Sequence, residues 1–479
     1  MSRSHITRAS FALAGAALAW PAQALAHGLV VRADLPIPEW LFGWAATVVL
    51  IISFVALAVL WPKPRLQEDT WTPLTGVVWR VIGSTAVQVL CGVLGALLLL
   101  AVIYSGLAGQ QIPTANFAPN FVYVIFWVGL VPGSVIFGDV FHAFNPWRAI
   151  AQAFAWVAGR LSRGGLPEPL PYPKGLGNWP AAIGIFAFVW LELIADGGSI
   201  PRNVALAAIV YTVITFIGMA LYGIEPWIAR GEAYSVYFNL FSRISPLERR
   251  DGQIGRRRIL SGLAAFEPMA GTVALLAVMI GSVTFDGFSS GGIWNATLVP
   301  ALQGLWGVLS LGPAVTLQLT FASGLFICIF LVGGFYRLGI LGAKSVGGGK
   351  TTHELAWTFV HSLVPIGVAY VMAHYVSLLV VQGQSMLYLI SDPLGQGLDL
   401  FGTAAIPINY GIVGQATYWY MQVGVVVFGH VAGLMLAHDR ALAIYDNPRL
   451  AVRSQYWMLA VMIGFTSLAL WLLASANQS

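Results

Sequence analysis

Residues 79–104 read WRVIGSTAVQVLCGVLGALLLLAVIY, with a single charge, Arg80, at the second position. A hydrocarbon layer of ~30 Å is crossed by ~20 helical residues, each rising about 1.5 Å. Within that layer no water pairs with the peptide groups, so an apolar stretch of this length satisfies its backbone as a helix. Working outward, the same pattern recurs near 39–61, 117–138, 179–195, 201–224, 266–285, 313–338, 354–381, 417–437 and 455–474. The expectation is an all-α fold, a polytopic transmembrane helical bundle of about ten spans. The 479-residue composition agrees, at 58% hydrophobic and only 9% charged. Segments 140–158 and 293–311 are shorter or more interrupted and read as interfacial or re-entrant.

The first residues differ from these spans. Arg3 and Arg8 precede the apolar run ASFALAGAALAW, and Ala24-Leu25-Ala26 makes a small-x-small site. That run is too short to span and predicts a secretory signal peptide over 1–26, cleaved before His27. Residues 27–479 then form a single polytopic membrane domain.

Charge sets the expected orientation. Of 24 Lys and Arg, Arg3 and Arg8 belong to the signal, Arg32 and Arg202 fall in outer gaps, and the other 20 fall in alternate, inner gaps. Positive residues collect on the cytoplasmic side. This predicts a multi-pass protein of the bacterial cytoplasmic (inner) membrane with the mature N-terminus and the C-terminus outside. The net charge of +5 follows from those loops and calls for no nucleic-acid partner. The run RRDGQIGRRR at 249–258 reads as a surface for anionic membrane lipid. Trp40, Trp61, Trp179, Trp227, Trp357, Trp419 and Trp457 lie near span ends, as an interfacial belt would. KSVGGGKTT at 344–352 has Lys344 where a phosphate loop needs glycine, and follows a membrane helix rather than a strand. Cys91 and Cys328, each inside a span, read as apolar packing residues.

Ionisable groups in lipid are costly unless partnered, so each is a functional candidate. An inner set comprises Asp139 and His142, three apart in GDVFH, Glu267, His361 and His430. His361 and His430 each lie about seven residues from the inner ends of their spans, at matching depth. Gly429 and Gly433 flank His430, and Gly129 with Gly133 repeats that close-packing spacing. Such a set can hold Zn²⁺ or a similar divalent metal, or relay protons. An outer set comprises Glu192 and Asp196, four apart, Asp286, His374 and the N-terminal His27 of the mature chain, whose amine and imidazole suit Cu²⁺. No nucleophile elbow, HExxH helix or haem-attachment run is present.

The segment AHGLVVRADLPIPEWLFGWAATVVLIISFVALAVLWPKPRL, Ala26 to Leu66, resembles bacterial polytopic membrane proteins called fenitrothion hydrolases. The resemblance implies a membrane-bound hydrolase of organophosphate triesters and a small, apolar substrate that reaches the protein through lipid. For that chemistry a metal held by His142, His361 and His430 would supply an activated water and charge stabilisation. Asp139 or Glu267 would be a further ligand or the general base. An ion- or proton-coupled transporter is the alternative, and a copper-handling protein using His27 a third.

Overall fold

The computed structural model describes residues 39–161 and 167–476. The signal segment and His27 lie outside the described residues. Among the described residues, eight helices are long and apolar enough to cross a membrane, including the stretches Phe117–Phe137 and Thr352–Ser391. We label the long helices α1 (Glu39–Leu60), α2 (Thr85–Ala108), α3 (Phe117–Phe137), α4 (Trp179–Leu193), α5 (Pro201–Tyr222), α6 (Thr272–Ser289), α7 (Pro313–Ser345), α8 (Leu363–Gln382), α9 (Gln415–Ile444) and α10 (Tyr456–Ala476). All ten expected spans fall on helices, α4 being shorter than the rest. Segments 140–158 and 293–311 fold as short helices, Val140–Phe144, Pro146–Leu161 and Val299–Gly307, with a π-turn at Trp294–Leu298. The molecule is therefore an all-α membrane protein.

Burial sorts the helices into an inner and an outer layer. The α6 window is 78% buried, as is that of Thr352–Ser391, which contains α8, whereas that of α2 is 17% buried. α2 thus presents Val89, Leu90, Leu97 and Leu100 outward, as a lipid-facing helix does, while α6 and α8 form the centre of the bundle. α6 packs on α4, α7, α8 and α10; α8 packs most extensively on α9. Small residues permit the closest approaches. A Cβ on Gly429 would stand 2.3 Å from the Ala369 Cβ, and one on Gly433 would stand 2.8 Å from the Ser362 carbonyl oxygen. By contrast Gly133 has nothing within 4 Å, so the Gly129–Gly133 spacing marks no such contact.

Loops divide between two ends. At one end Gln110 and Phe117 donate backbone hydrogen bonds to the carbonyls of Leu394 and Pro393. At the other, Asp139 joins Asn239, Arg148 joins Glu225, and Asp439 accepts from Trp61, Arg65, Leu66 and Gln67. The basic gaps all belong to this second end.

The basic end is more ordered than the sequence suggests. RRDGQIGRRR folds as a hairpin: β2 (Leu247–Arg250) pairs antiparallel with β3 (Gln253–Arg256), and β3 with β1 (Thr72–Pro73). Asp251 and Gly252 take φ of +49° and +80°, the conformation that an Asp-Gly turn supplies. Arg250 pairs with Asp69 and Glu248, and Arg257 with Glu248. Two arginines expected to meet lipid are thus tied to carboxylates of the protein. The Arg250 guanidinium beside Asp69 also holds that carboxyl below its ordinary range.

Residues 225–262, expected as a connecting loop, also contain the buried helix Ala233–Ser242, packed against α3, α4 and α8. Glu232 caps it, accepting from the amides of Tyr234 and Ser235. Trp227 is buried rather than interfacial and fills the notches at Gly218 and Gly231; Trp419 is buried as well.

Candidate functional site

A buried polar contact joins α6 to α8. α6 starts at the basic end, and Asp286, its fifteenth residue, sits about 21 Å along its axis. His374 and Tyr375 lie on α8 opposite it. His374 Nε2 is 2.9 Å from Asp286 Oδ2, and the Tyr375 hydroxyl donates to the same oxygen at 2.6 Å. All three are buried, Asp286 at 5%, His374 at 6% and Tyr375 at 2% exposure. With Asp286 accepting from Nε2–H, the neutral ring keeps its lone pair on Nδ1, and the bond also fixes the ring's orientation. A Cβ on Gly287 would lie 3.6 Å from Cε1 and Nδ1 of that ring, so Gly287 adjoins the edge that carries Nδ1.

Glu192, near the end of α4, is a second carboxyl close enough to Asp286 for the two to interact electrostatically. The phenols of Tyr123, Tyr234, Tyr237 and Tyr375 stand within the field of Glu192. Tyr123 donates to the Gly198 carbonyl, whereas the buried Tyr237 hydroxyl has no hydrogen-bond partner. The Asp286 carboxylate, the His374 imidazole and the Tyr375 phenol form a hydrogen-bonded set among which protons can be exchanged.

The structure places the other candidates as follows. Asp196 lies exposed in the turn after α4. Asp139 caps the short helix Val140–Phe144, accepting from the His142 amide at 3.1 Å and from Asn239 at 2.8 Å. The His142 imidazole, at the basic end, is pushed below its ordinary value by burial. Glu267 is exposed in the loop before α6. His361 sits in the 3₁₀ turn Val360–Ser362, beside the carbonyls of Thr358 and Leu436. His430 Nδ1 donates to the Val426 carbonyl of its own helix at 2.8 Å. Among the described residues no three His, Cys, Asp or Glu side chains are grouped closely enough to hold a metal ion.

The sequence pattern does not single out Tyr375, Tyr237 or Glu232. Tyr375 adjoins His374 in the chain, which was its available signal. Glu232 precedes the apolar run AYSVYFNLFS, the position of a helix cap.

Fold and site together define an all-α, polytopic membrane protein with a buried acid–base cluster between its two central helices. No family model, curated protein or solved structure matches the chain.

Proposed function

We propose that the chain is a membrane-bound hydrolase of small apolar phosphotriesters, and that Asp286 and His374 form its general-base pair. One observation carries the assignment: a buried carboxylate orients an imidazole whose opposite nitrogen is the basic one. The resemblance of Ala26–Leu66 to fenitrothion hydrolases supplies the substrate class. In the reaction, Nδ1 of His374 takes a proton from water as the water oxygen bonds to phosphorus. The phosphorus–leaving-group bond breaks, and the leaving oxygen recovers that proton from the imidazolium. Asp286 stabilises the transient imidazolium, and Tyr375 holds Asp286 in place. An uncharged triester partitions into lipid and enters between helices without crossing a polar barrier. The base is worth about 10²–10⁴ in rate.

The orientation belongs to the same proposal. The basic end faces the cytoplasm of a bacterial cell, and anionic inner-leaflet lipid lies against Arg residues not tied up in ion pairs.

A second reading, a proton-coupled carrier, is favoured by Glu192 and its surrounding phenols, a set suited to moving protons as well as activating water. The test is release of a coloured phenol from a chromogenic phosphotriester by the purified full chain in detergent, with bound metal measured on the same sample. Hydrolysis predicts turnover that His374→Ala abolishes. Solute flux in proteoliposomes with no product favours the carrier.

A further inference from the structure

Among the described residues, a polar pocket of about 550 Å³ opens at the basic end, its lining including Trp61, Arg65, Glu68 and Arg258. It lies just past the end of α1, whose last residues, Val59 and Leu60, are each 69% exposed. The α1 window is only 22% buried, as suits a lipid-facing helix. The pocket therefore stands where acyl chains give way to headgroups, the level at which tryptophan collects.

A buried carboxylate anchors this corner. Asp439 of α9, 0% exposed, accepts from Trp61 Nε1 at 3.0 Å, from the Leu66 amide at 3.2 Å and from Gln67 at 2.8 Å. His438 Nε2 meets the Trp61 carbonyl at 3.1 Å. On the facing side the Arg258 amide donates to the Thr70 hydroxyl at 3.0 Å. Both walls are thus fixed by contacts that do not use the charged groups of the lining.

Those charged groups face the opening. Arg65, Glu68 and Arg258 are all exposed. The Arg65 guanidinium lies 4.9 Å from the centre of the Trp61 ring and gives one N–H to the Leu60 carbonyl at 3.2 Å. Arg258 gives one to the Arg65 carbonyl at 2.7 Å, and its ion pair with Glu68 spans 3.9 Å, beyond hydrogen-bond reach. Arg250 and Arg257 differ, closed on carboxylates at 2.6–2.8 Å. Each guanidinium carries five N–H donors, so both lining arginines keep donors for a ligand.

Two guanidiniums and one carboxylate define what fits. Arginine forks match phosphate oxygens. The Glu68 carboxylate matches a cation that donates hydrogen bonds. A lipid headgroup with a phosphodiester and a primary ammonium satisfies all three, and its acyl chains then lie along the exposed side of α1. A headgroup with no cation leaves Glu68 unmatched.

We propose that the pocket beside Trp61 binds the headgroup of an aminophospholipid such as phosphatidylethanolamine, with the phosphodiester on Arg65 and Arg258 and the ammonium on Glu68. This is a defined site, unlike the general attraction of a basic surface for anionic lipid. It stands apart from the Asp286–His374 pair and does not depend on the function assigned to that pair.

The experiment measures binding of phosphatidylethanolamine and of phosphatidylcholine with the same acyl chains to the full chain in detergent, by native mass spectrometry. The two share phosphate and net charge, and choline cannot donate hydrogen bonds. The expected result is saturable binding of phosphatidylethanolamine about threefold tighter than of phosphatidylcholine, the scale of an exposed ion pair. Glu68→Gln should erase that preference and leave phosphatidylcholine unchanged. Arg65→Gln with Arg258→Gln should weaken both lipids about tenfold, through lost charge-assisted hydrogen bonds. Equal affinity for the two lipids in the unaltered chain overturns the proposal, as does lipid binding that the double arginine variant leaves unchanged. Displacement of the lipid by an equal concentration of glycerophosphoethanolamine, which has no acyl chains, overturns it in favour of a soluble phosphate ligand.

Discussion

His374 Nε2 lies 2.9 Å from Asp286 Oδ2 although the two residues are 88 positions apart in the chain. The pair bridges α6 and α8, the central helices, so it is a structural tie and, under the proposed function, also the general base. Residues acting as one unit are non-additive in their effect on rate. Asp286→Asn and His374→Ala should each lower turnover by about 10²–10⁴, and the double variant should fall no further than the worse single one. Initial rates of the four proteins measure this; multiplying losses would show that the two act independently.

The α8–α9 contact rests on glycines. Gly429→Ala places a methyl 2.3 Å from Ala369 Cβ, and Gly433→Ala places one 2.8 Å from the Ser362 oxygen. Each should destabilise the protein by about 1–3 kcal/mol through overpacking. Gly464→Ala, where nothing lies within 4 Å, should be neutral or slightly stabilising, because alanine is the better helix former. Thermal unfolding in detergent compares the three.

His142 predicts a pH dependence of stability. Burial lowers its pKa from the ordinary 6.5 in the folded chain. Below that value the unfolded chain binds the proton first, so acidification favours unfolding and stability rises with pH through this window. His142→Gln should flatten the slope of melting temperature against pH just below 6.5, and an unchanged slope would remove His142 as its source.

Topology has a direct readout. Gln253, in the β2–β3 hairpin, and Leu398, in the opposite loop, are both exposed. In spheroplasts, Leu398→Cys should react with a membrane-impermeant maleimide, and Gln253→Cys should react only after lysis. The reverse pattern would invert the orientation.

Hydropathy revealed the helices because length and apolarity alone decide spanning. It missed detail where hydrogen-bond register intervenes. The span expected from residue 79 breaks at Ser84, whose side chain caps α2 after the separate turn Val77–Gly83. Residues 121–129 are wound as a π-helix, which hydropathy cannot register. In the site, only a grouping of Glu192, Asp196, Asp286 and His374 toward one end was legible from counting. Their pairing was not, because the rotation of α6 against α8 is fixed by packing across the bundle. The matching depth of His361 and His430 was read from the sequence, yet His430 hydrogen-bonds its own helix, a choice that spacing does not encode. Residues 225–262 read as a loop because their buried helix is too short to span, and Glu232, the residue that starts it, was read as loop too.

Under the proposed function, the Asp286–His374 pair activates water for attack on an apolar ester. The most direct test is phenol release from a chromogenic phosphotriester by proteoliposomes of the unaltered chain and of His374→Ala, with correct insertion confirmed by the Leu398→Cys labelling pattern in each. The expected result is steady turnover in the first and a loss of at least a hundredfold in the second. Full turnover in a correctly inserted His374→Ala protein would contradict it.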